Sequence, residues 1–254
     1  MNIQRSPEWI AARVGKATAS RIGDVVARTK TGWSALRANY MADLIAERLT
    51  GVRVDGYVSA AMAWGIEQEP QARAAYEFYC DATVRESDFI DHPRIARSGA
   101  SPDGLVGDDG LVEFKCPNTA THIETLLGGS IPGDYVAQMQ WQMACTGRAW
   151  CDFVSFDPRL PPAMSLHVRR VERDERTINK LEQAVCEFLA EIERKLADLD
   201  VLYRPLETHD PMMKAVVEPL AESGPALDPT DRGGVPAFLD RRAPAEPARV
   251  EMLM

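Results

Sequence analysis

The segment Gly110-Leu111-Val112-Glu113-Phe114-Lys115-Cys116 constrains this chain more than any other. Leu111, Val112, Phe114 and Cys116 leave it no polar side, which is the pattern of a strand covered on both faces. Glu113 and Lys115 are set into that strand two residues apart. Side chains alternate along a strand, so these two share one face and Phe114 turns to the other. An E-x-K triplet alone is commonly a solvated pair. Placed in a buried strand, a carboxylate and an ammonium need a partner or a chemical task.

A third group comes from Ser101-Pro102-Asp103-Gly104, just upstream. A hairpin-length connection containing Gly107 and Gly110 separates Asp103 from Glu113. Pairing of the two strands brings the carboxylates together. Two carboxylates sharing a site repel each other unless a cation lies between them. Oxygen ligands of that kind suit Mg²⁺, with Mn²⁺ as a substitute. Such an ion polarises a phosphodiester, and Lys115 beside it can neutralise charge on phosphorus or orient the attacking water. The pattern P-D…E-x-K thus fits phosphodiester hydrolysis residue by residue.

Further candidates are less specific. Glu69 precedes Pro70, where a helix is expected to bend and can turn a carboxylate inward; its plain reading is a solvated Glu beside Glu67. Gln138 and Gln140 fall on one helix, where an amide can hold a water or a phosphate. Arg13, Thr18 and Ser20 form a cluster near a helix N-terminus, which attracts anions, and with Ser101 they suggest a terminal-phosphate pocket. The plain reading there is an N-cap and a surface arginine. His92 and His122 read as surface residues, and Trp64 as core.

Composition narrows the classes. The chain has 254 residues and a net charge of -9, which excludes a basic surface wrapping DNA everywhere but not a local basic lining. The five cysteines show no CxxC spacing, which argues against a zinc ribbon, an iron–sulfur cluster or a disulfide framework and for free thiols in a reducing cytoplasm. Neither a secretory leader nor an 18-residue apolar stretch is seen, so no membrane association is expected.

Along the chain, helices are expected from Ser6 to Gly15, after Ser20, over 34–50 and over 58–80 with a break or kink near Glu69. Arg28–Gly32 reads as a loop. Strands are expected over 83–90, 94–98, 104–106, 111–115, 150–156 and 165–171, and helices over 119–127, 134–146 and 175–199. Residues 206–254 hold seven of the 17 prolines and have the composition of a flexible tail, which leaves 1–205 as the folded domain. The order implies an α/β (α+β) domain with a central mixed β-sheet flanked by helices.

These motifs together resemble the lambda-exonuclease and YqaJ-type viral recombinase family of the PD-(D/E)XK, restriction-endonuclease-like superfamily. The resemblance runs through Trp9…Arg13-Val14-Gly15-Lys16-Ala17-Thr18-Ala19-Ser20, Ala63-Trp64-Gly65…Glu69…Ala72-Arg73, Ser101-Pro102-Asp103-Gly104 and Gly110–Pro117. It continues in Tyr135–Gln140, Asp157-Pro158-Arg159 and Glu172–Glu175, covering roughly residues 6–200. It implies Asp103 and Glu113 as metal ligands with Glu69 as a further acidic participant, Lys115 as the catalytic lysine and Gln138 as an active-site amide. It also implies that Arg13, Thr18, Ser20 and Ser101 meet the DNA 5′-phosphate. The implied activity is Mg²⁺-dependent 5′→3′ exonucleolysis of one strand of linear double-stranded DNA, leaving 3′ overhangs. The implied partners are DNA ends, a single-strand annealing protein and copies of the chain in a trimeric ring, in a bacterial or phage-infected cytoplasm. Arg28, Lys30, Arg37 and Arg53 are candidates for a basic channel lining. Held beside this are a PD-(D/E)XK endonuclease or flap or single-strand nuclease, and a non-catalytic DNA-end-binding module, which would be expected to lack one of Asp103, Glu113 or Lys115.

Overall fold

A computed structural model describes residue 4, residues 6–54 and residues 59–203. The expected tail, 206–254, lies outside the described residues, as does the boundary placed at 205. Local signals set the first elements. Ser6 caps α1 (Pro7–Arg13) by accepting a hydrogen bond from the Trp9 amide at 3.2 Å, with Pro7 in the first turn. Strand β1 (Ala17–Thr18), a 3₁₀ turn (Ala19–Arg21) and α2 (Ile22–Val26) follow. Arg28–Gly32, expected as a loop, lies largely within a two-stranded ribbon of β2 (Arg28–Thr29) and β3 (Gly32–Trp33). Ser34 caps α3 (Ala35–Thr50), and Gly51 ends it in the left-handed conformation.

Helix α4 (Ala60–Cys80) runs through Pro70 unbroken. The expected break fails for a physical reason. Ile66, whose carbonyl loses its partner four residues on at Pro70, and Pro70 itself both lie on the exposed side of the helix, where water can reach the unpaired group. The span 83–90 proves to be mostly loop, with β4 (Val84–Arg85) at its start and β5 (Ile90–Asp91) at its end. Arg94–Ser98 is largely a turn, and the strand there is β6 (Ser98–Ala100). Next come β7 (Gly104–Val106), β8 (Gly110–Lys115), α5 (Thr119–Leu126), α6 (Gly133–Thr146), β9 (Trp150–Phe156), β10 (Leu166–Glu172) and α7 (Glu175–Tyr203).

The main sheet has the order β10-β9-β8-β7-β4 and is mixed. β8 pairs parallel with β9, while the other neighbours are antiparallel. A parallel pair needs a long crossover, and α5 and α6 supply it. Glu113 stands opposite Phe153, and Lys115 opposite Ser155. Gly104 faces Val112 in the β7–β8 hairpin, and a Cβ there would lie 2.1 Å from a Val84 methyl, so only glycine lets three strands close up beside Asp103.

The alternation expected of β8 is observed. Val112 and Phe114 join Val154, Phe156, Ala72 and Tyr76 in the layer under α4, whereas Leu111 packs with Met139, Met143, Cys151 and Phe153 under α6. A separate apolar cluster joins α3, α6 and α7 around Tyr40, Trp141 and Phe188, and the Tyr40 and Phe188 rings stack at 5.6 Å. Three single-residue expectations are corrected. His122 is fully buried, its ring bonded to Ser155 Oγ at 2.7 Å and the Met164 carbonyl at 2.9 Å. His92 is buried against Trp141, with ring centroids 4.8 Å apart. Trp64 is half-buried at the surface, the Arg159 guanidinium 4.6 Å from its ring, rather than in the core. Among the described residues, no helix is long and apolar enough to cross a membrane.

Candidate active site

The sheet geometry brings Glu113 and Lys115 to the α6 face, as period two requires. Glu113 is 2% exposed. Its Oε1 accepts hydrogen bonds from Lys115 Nζ at 2.5 Å and Gln138 Nε2 at 2.6 Å. Its Oε2 accepts from Gln142 Nε2 at 2.6 Å. Asp103 enters from the turn before β7. Its Oδ2 accepts from the Phe114 amide at 2.8 Å, which ties it to the residue next to Glu113. Its backbone carbonyl accepts from Arg73 Nη2 at 2.9 Å, and Gln4 Nε2 holds the Pro102 carbonyl at 2.8 Å. Pairing thus produces the juxtaposition that the sequence implied for Asp103, Glu113 and Lys115.

The electrostatics follow from burial and crowding. Burial, then the neighbouring Glu113 charge, push the Asp103 carboxyl well above its ordinary range. Lys115 feels burial in the opposite sense, but Glu113 and Asp103 outweigh it and hold the ammonium more firmly protonated than usual. Its Nζ also lies 4.7 Å from the Tyr135 ring centroid, a cation–π contact. Burial, together with Glu69 and Asp103, pushes the Cys116 thiol up to about 12, so it stays neutral.

A cavity of about 640 Å³ joins this cluster to the second one. Glu69, Asp103, Glu113, Lys115 and Gln138 line it, and so do Arg13, Ser20, Ser101 and Trp9. Arg13 is buried. Its Nη1 donates to Ser101 Oγ at 3.2 Å, and its guanidinium lies 4.0 Å over Trp9, whose Nε1 donates to the same hydroxyl at 3.0 Å. Arg13 Nε is buried with no hydrogen-bond partner among the described residues, so the guanidinium keeps a donor for a ligand. Burial, reinforced by the like charge of Arg53, lowers its pKa to about 10, which leaves it cationic at neutral pH. The loop behind it is clamped. Gly15, at φ +67°, donates its amide to Glu47 at 2.7 Å and offers its carbonyl to Arg48 Nε at 2.8 Å.

Not every expected residue reaches the cavity. Thr18 stands behind the wall, its amide donating to Tyr40 Oη at 2.9 Å and its hydroxyl 3.5 Å from Ser20 Oγ. Gln140 points elsewhere: it clamps Glu172 and Asp174 backbone groups at 2.7 and 2.9 Å. Two residues on helix α6 are 200° apart when two positions separate them, so Gln138 and Gln140 could not both face Glu113. Gln142, one turn beyond Gln138, was the missed partner, and the i, i+4 spacing was its signal. Arg73 carried the same signal, four residues after Glu69. Among the four basic residues considered for a channel lining, Arg37 is excluded: it is buried, with Nη1 2.8 Å from Glu191.

The donor set fits a small, hard divalent cation. Two partly or fully buried carboxylates meet one lysine, and Glu69 adds negative charge to the same cavity. Among the described residues, no cluster of three or more His, Cys, Asp or Glu side chains is gathered as a metal cage. Two carboxylates are the number that Mg²⁺ typically takes from a protein, its shell being completed by water and phosphate oxygens.

The profile described as "YqaJ-like viral recombinase domain" matches residues 8–149. Two solved structures of one protein, an alkaline exonuclease (LHK-Exo) from Laribacter hongkongensis alone and LHK-Exo in complex with dAMP, share 53% identity and superpose with a TM-score of 0.74. The match covers 79% of this chain and 100% of that one. A phage-related exonuclease from Haemophilus somnus 129PT, 14% identical, superposes with a TM-score of 0.57 over 72% of this chain and 96% of its own. That last likeness bears on the fold alone, which is of the PD-(D/E)XK type. A search of curated protein sequences finds no significant match.

Proposed function

The chain belongs to the YqaJ-like viral recombinase family, and on that premise we propose that it is a Mg²⁺-dependent exonuclease that digests one strand of linear duplex DNA from the 5′ end, leaving a 3′ overhang for single-strand annealing. One observation carries the reading: a single cavity holds both the Asp103–Glu113–Lys115 cluster and the Arg13–Ser101 anion pocket. An endonuclease has no need of a terminal-phosphate pocket beside its cutting residues. That a 53%-identical relative is an alkaline exonuclease, solved in complex with a deoxynucleoside monophosphate, supports the same reading.

In this reading Arg13, Ser20 and Ser101 grip the terminal 5′-phosphate, and Trp9 keeps the Arg13 plane in place. Asp103 and Glu113 hold the divalent cation, and Glu69 contributes through the cavity wall. When bound, that cation supplies Lewis-acid polarisation of the phosphodiester. Lys115, held protonated by its carboxylate neighbours, acts as a fixed cation facing the charge that grows on phosphorus, not as a base. Gln138 bridges Glu113 and Lys115, its Oε1 3.4 Å from Lys115 Nζ, and so keeps the ammonium oriented. We extend the proposal to a trimeric ring acting with an annealing protein in a bacterial or phage-infected cytoplasm, with Arg28, Lys30 and Arg53 towards the DNA.

The test is digestion of linear duplex with Mg²⁺, comparing 5′-phosphate with 5′-hydroxyl ends beside a covalently closed circle. The expected result is fastest loss of the 5′-phosphorylated strand, an intact complementary strand and an untouched circle. A cut circle, or indifference to end chemistry, overturns the exonuclease reading.

A further inference from the structure

The two oxygens of Glu113 have different surroundings. Oε1 meets Lys115 and Gln138, both on the cavity wall. Oε2 meets Gln142 Nε2 at 2.6 Å, and Gln142 is 0% exposed. Its own carbonyl oxygen lies 4.0 Å from the Cys151 thiol, inside the layer formed by Leu111, Met139 and Met143. An apolar layer has no use for a carboxamide, which costs free energy there unless both ends are satisfied. The amide is explained by what it does to Glu113.

We infer that Gln142 is a positioning residue that, with Gln138 and Lys115, fixes the orientation of the Glu113 carboxylate from behind, so that it is set to take a divalent cation. The inference rests on the proposed reading of Asp103 and Glu113 as cation ligands. Gln138 and Gln142 lie one turn apart on α6 and act on one carboxylate from one helix face. Together with Lys115 they fix its plane and its rotation about the last side-chain bond. Donors behind a ligating group set its orientation, and their loss commonly costs ~10–100-fold in metal affinity. A carboxylate held in one orientation also suits Mg²⁺ and Mn²⁺, which demand a strict ligand geometry, better than Ca²⁺, whose shells are looser. Gln142 therefore contributes selectivity as well as affinity. A role confined to packing would not move that selectivity.

The experiment is calorimetric titration of the full-length chain, without DNA, by Mn²⁺ and by Ca²⁺. Wild type, Gln142→Met and Asp103→Asn are compared, with near-ultraviolet circular dichroism to confirm folding. Gln142→Met is expected to bind Mn²⁺ about 10–100-fold more weakly and Ca²⁺ little changed, so the Mn²⁺-over-Ca²⁺ ratio falls. A folded Gln142→Met chain that keeps both affinities within about threefold of wild type overturns the inference. A variant-free reading is the Gln142 side-chain amide resonance of the wild-type chain during Mg²⁺ titration. It is expected to shift with the apparent Kd of binding, and a stationary resonance overturns the inference whatever the variants do. Failure of wild type to bind Mn²⁺, or undiminished binding by Asp103→Asn, strikes instead at the metal-site reading.

Discussion

Glu113 and Asp152 are both buried carboxylates, on adjacent strands of one sheet, one residue apart in register and on opposite faces. Asp152, under α4, accepts two hydrogen bonds from Arg170 at 2.8 and 3.0 Å and one from Tyr76 Oη at 2.8 Å. Its charge is matched by one guanidinium, which itself stacks 3.5 Å over Trp150, and it is not among the residues that line the cavity of Glu113. Glu113, under α6, shares its one lysine with Asp103 and faces a cavity that also contains Glu69. Burial of a carboxylate therefore does not mark a site. An excess of buried negative charge over fixed positive charge, opening on a cavity, does.

Conservative amide substitutions should break that pair apart most visibly. Glu113→Gln or Asp103→Asn removes charge that the proposed cation requires, and kcat/KM for linear duplex should fall ~10³-fold or more with DNA-end binding retained. Asp152→Asn should leave activity per folded molecule near wild type. Its effect falls on stability, with a loss of about 1–2 kcal/mol in denaturant unfolding, because the hydrogen bonds from Arg170 and Tyr76 weaken while the half-exposed guanidinium stays screened by water. Near-normal digestion by Glu113→Gln, or a catalytic collapse in a well-folded Asp152→Asn, would reverse the assignment of the two faces.

The two cations sharpen the comparison at a smaller scale. Lys115→Met should lower kcat ~10²–10³-fold with little change in KM, the signature of an interaction made in the transition state. Arg170→Met should change Tm and not kcat. If Lys115→Met acts on KM instead, the lysine binds DNA rather than stabilising charge at phosphorus. At the far end of the cavity, Arg13→Ala removes a charged donor to the terminal phosphate. The preference for 5′-phosphate over 5′-hydroxyl ends should drop ~10–100-fold, as read from initial rates on the two substrates. An unchanged preference would move the phosphate pocket elsewhere.

What the sequence disclosed follows the same division. Glu113 and Lys115 were legible because period two and an apolar frame are local facts. Asp103 was legible because a short glycine-bearing hairpin joins it to Glu113. The partners of Asp152 were not, since Tyr76 lies 76 residues away and no local pattern predicts that contact. His122 depends on Ser155 and His92 on Glu182, again across long separations. Gln142 was within reach, because helical spacing from Gln138 is a local fact, yet a third glutamine after Gln138 and Gln140 carries no signal of its own. The helix continues through Pro70 on its exposed side, and which side of a helix is exposed is decided by packing. The short strands 84–85 and 90–91 similarly exist because neighbours pair with them, not through their own propensity.

A third buried titratable group extends the contrast to one that is neither saturated nor catalytic. His92 Nδ1 accepts the Arg94 and Ile95 amides at 3.2 and 3.0 Å, which leaves Nε2 facing Glu182 at 3.2 Å. Burial lowers its pKa below the ordinary 6.5, Arg94 adds to that, and Glu182 opposes without prevailing. Between the depressed folded value and 6.5, the unfolded chain binds more protons than the folded one, so acid favours unfolding. The contribution of His92 is complete above 6.5 and is lost as pH falls through the folded value. His167 is depressed as well, first by burial, so the useful measurement is a difference between chains. His92→Asn keeps an acceptor for the two amides and cannot titrate. Its Tm should decline less than that of wild type on going from neutral pH towards pH ~5, the smallest effect of the series. Equal slopes would mean that the His92–Trp141 stack, which braces the helix carrying Gln138 and Gln142, tolerates a charged imidazole. The buried imidazole would then behave as Asp152 does, with its charge already matched by Glu182.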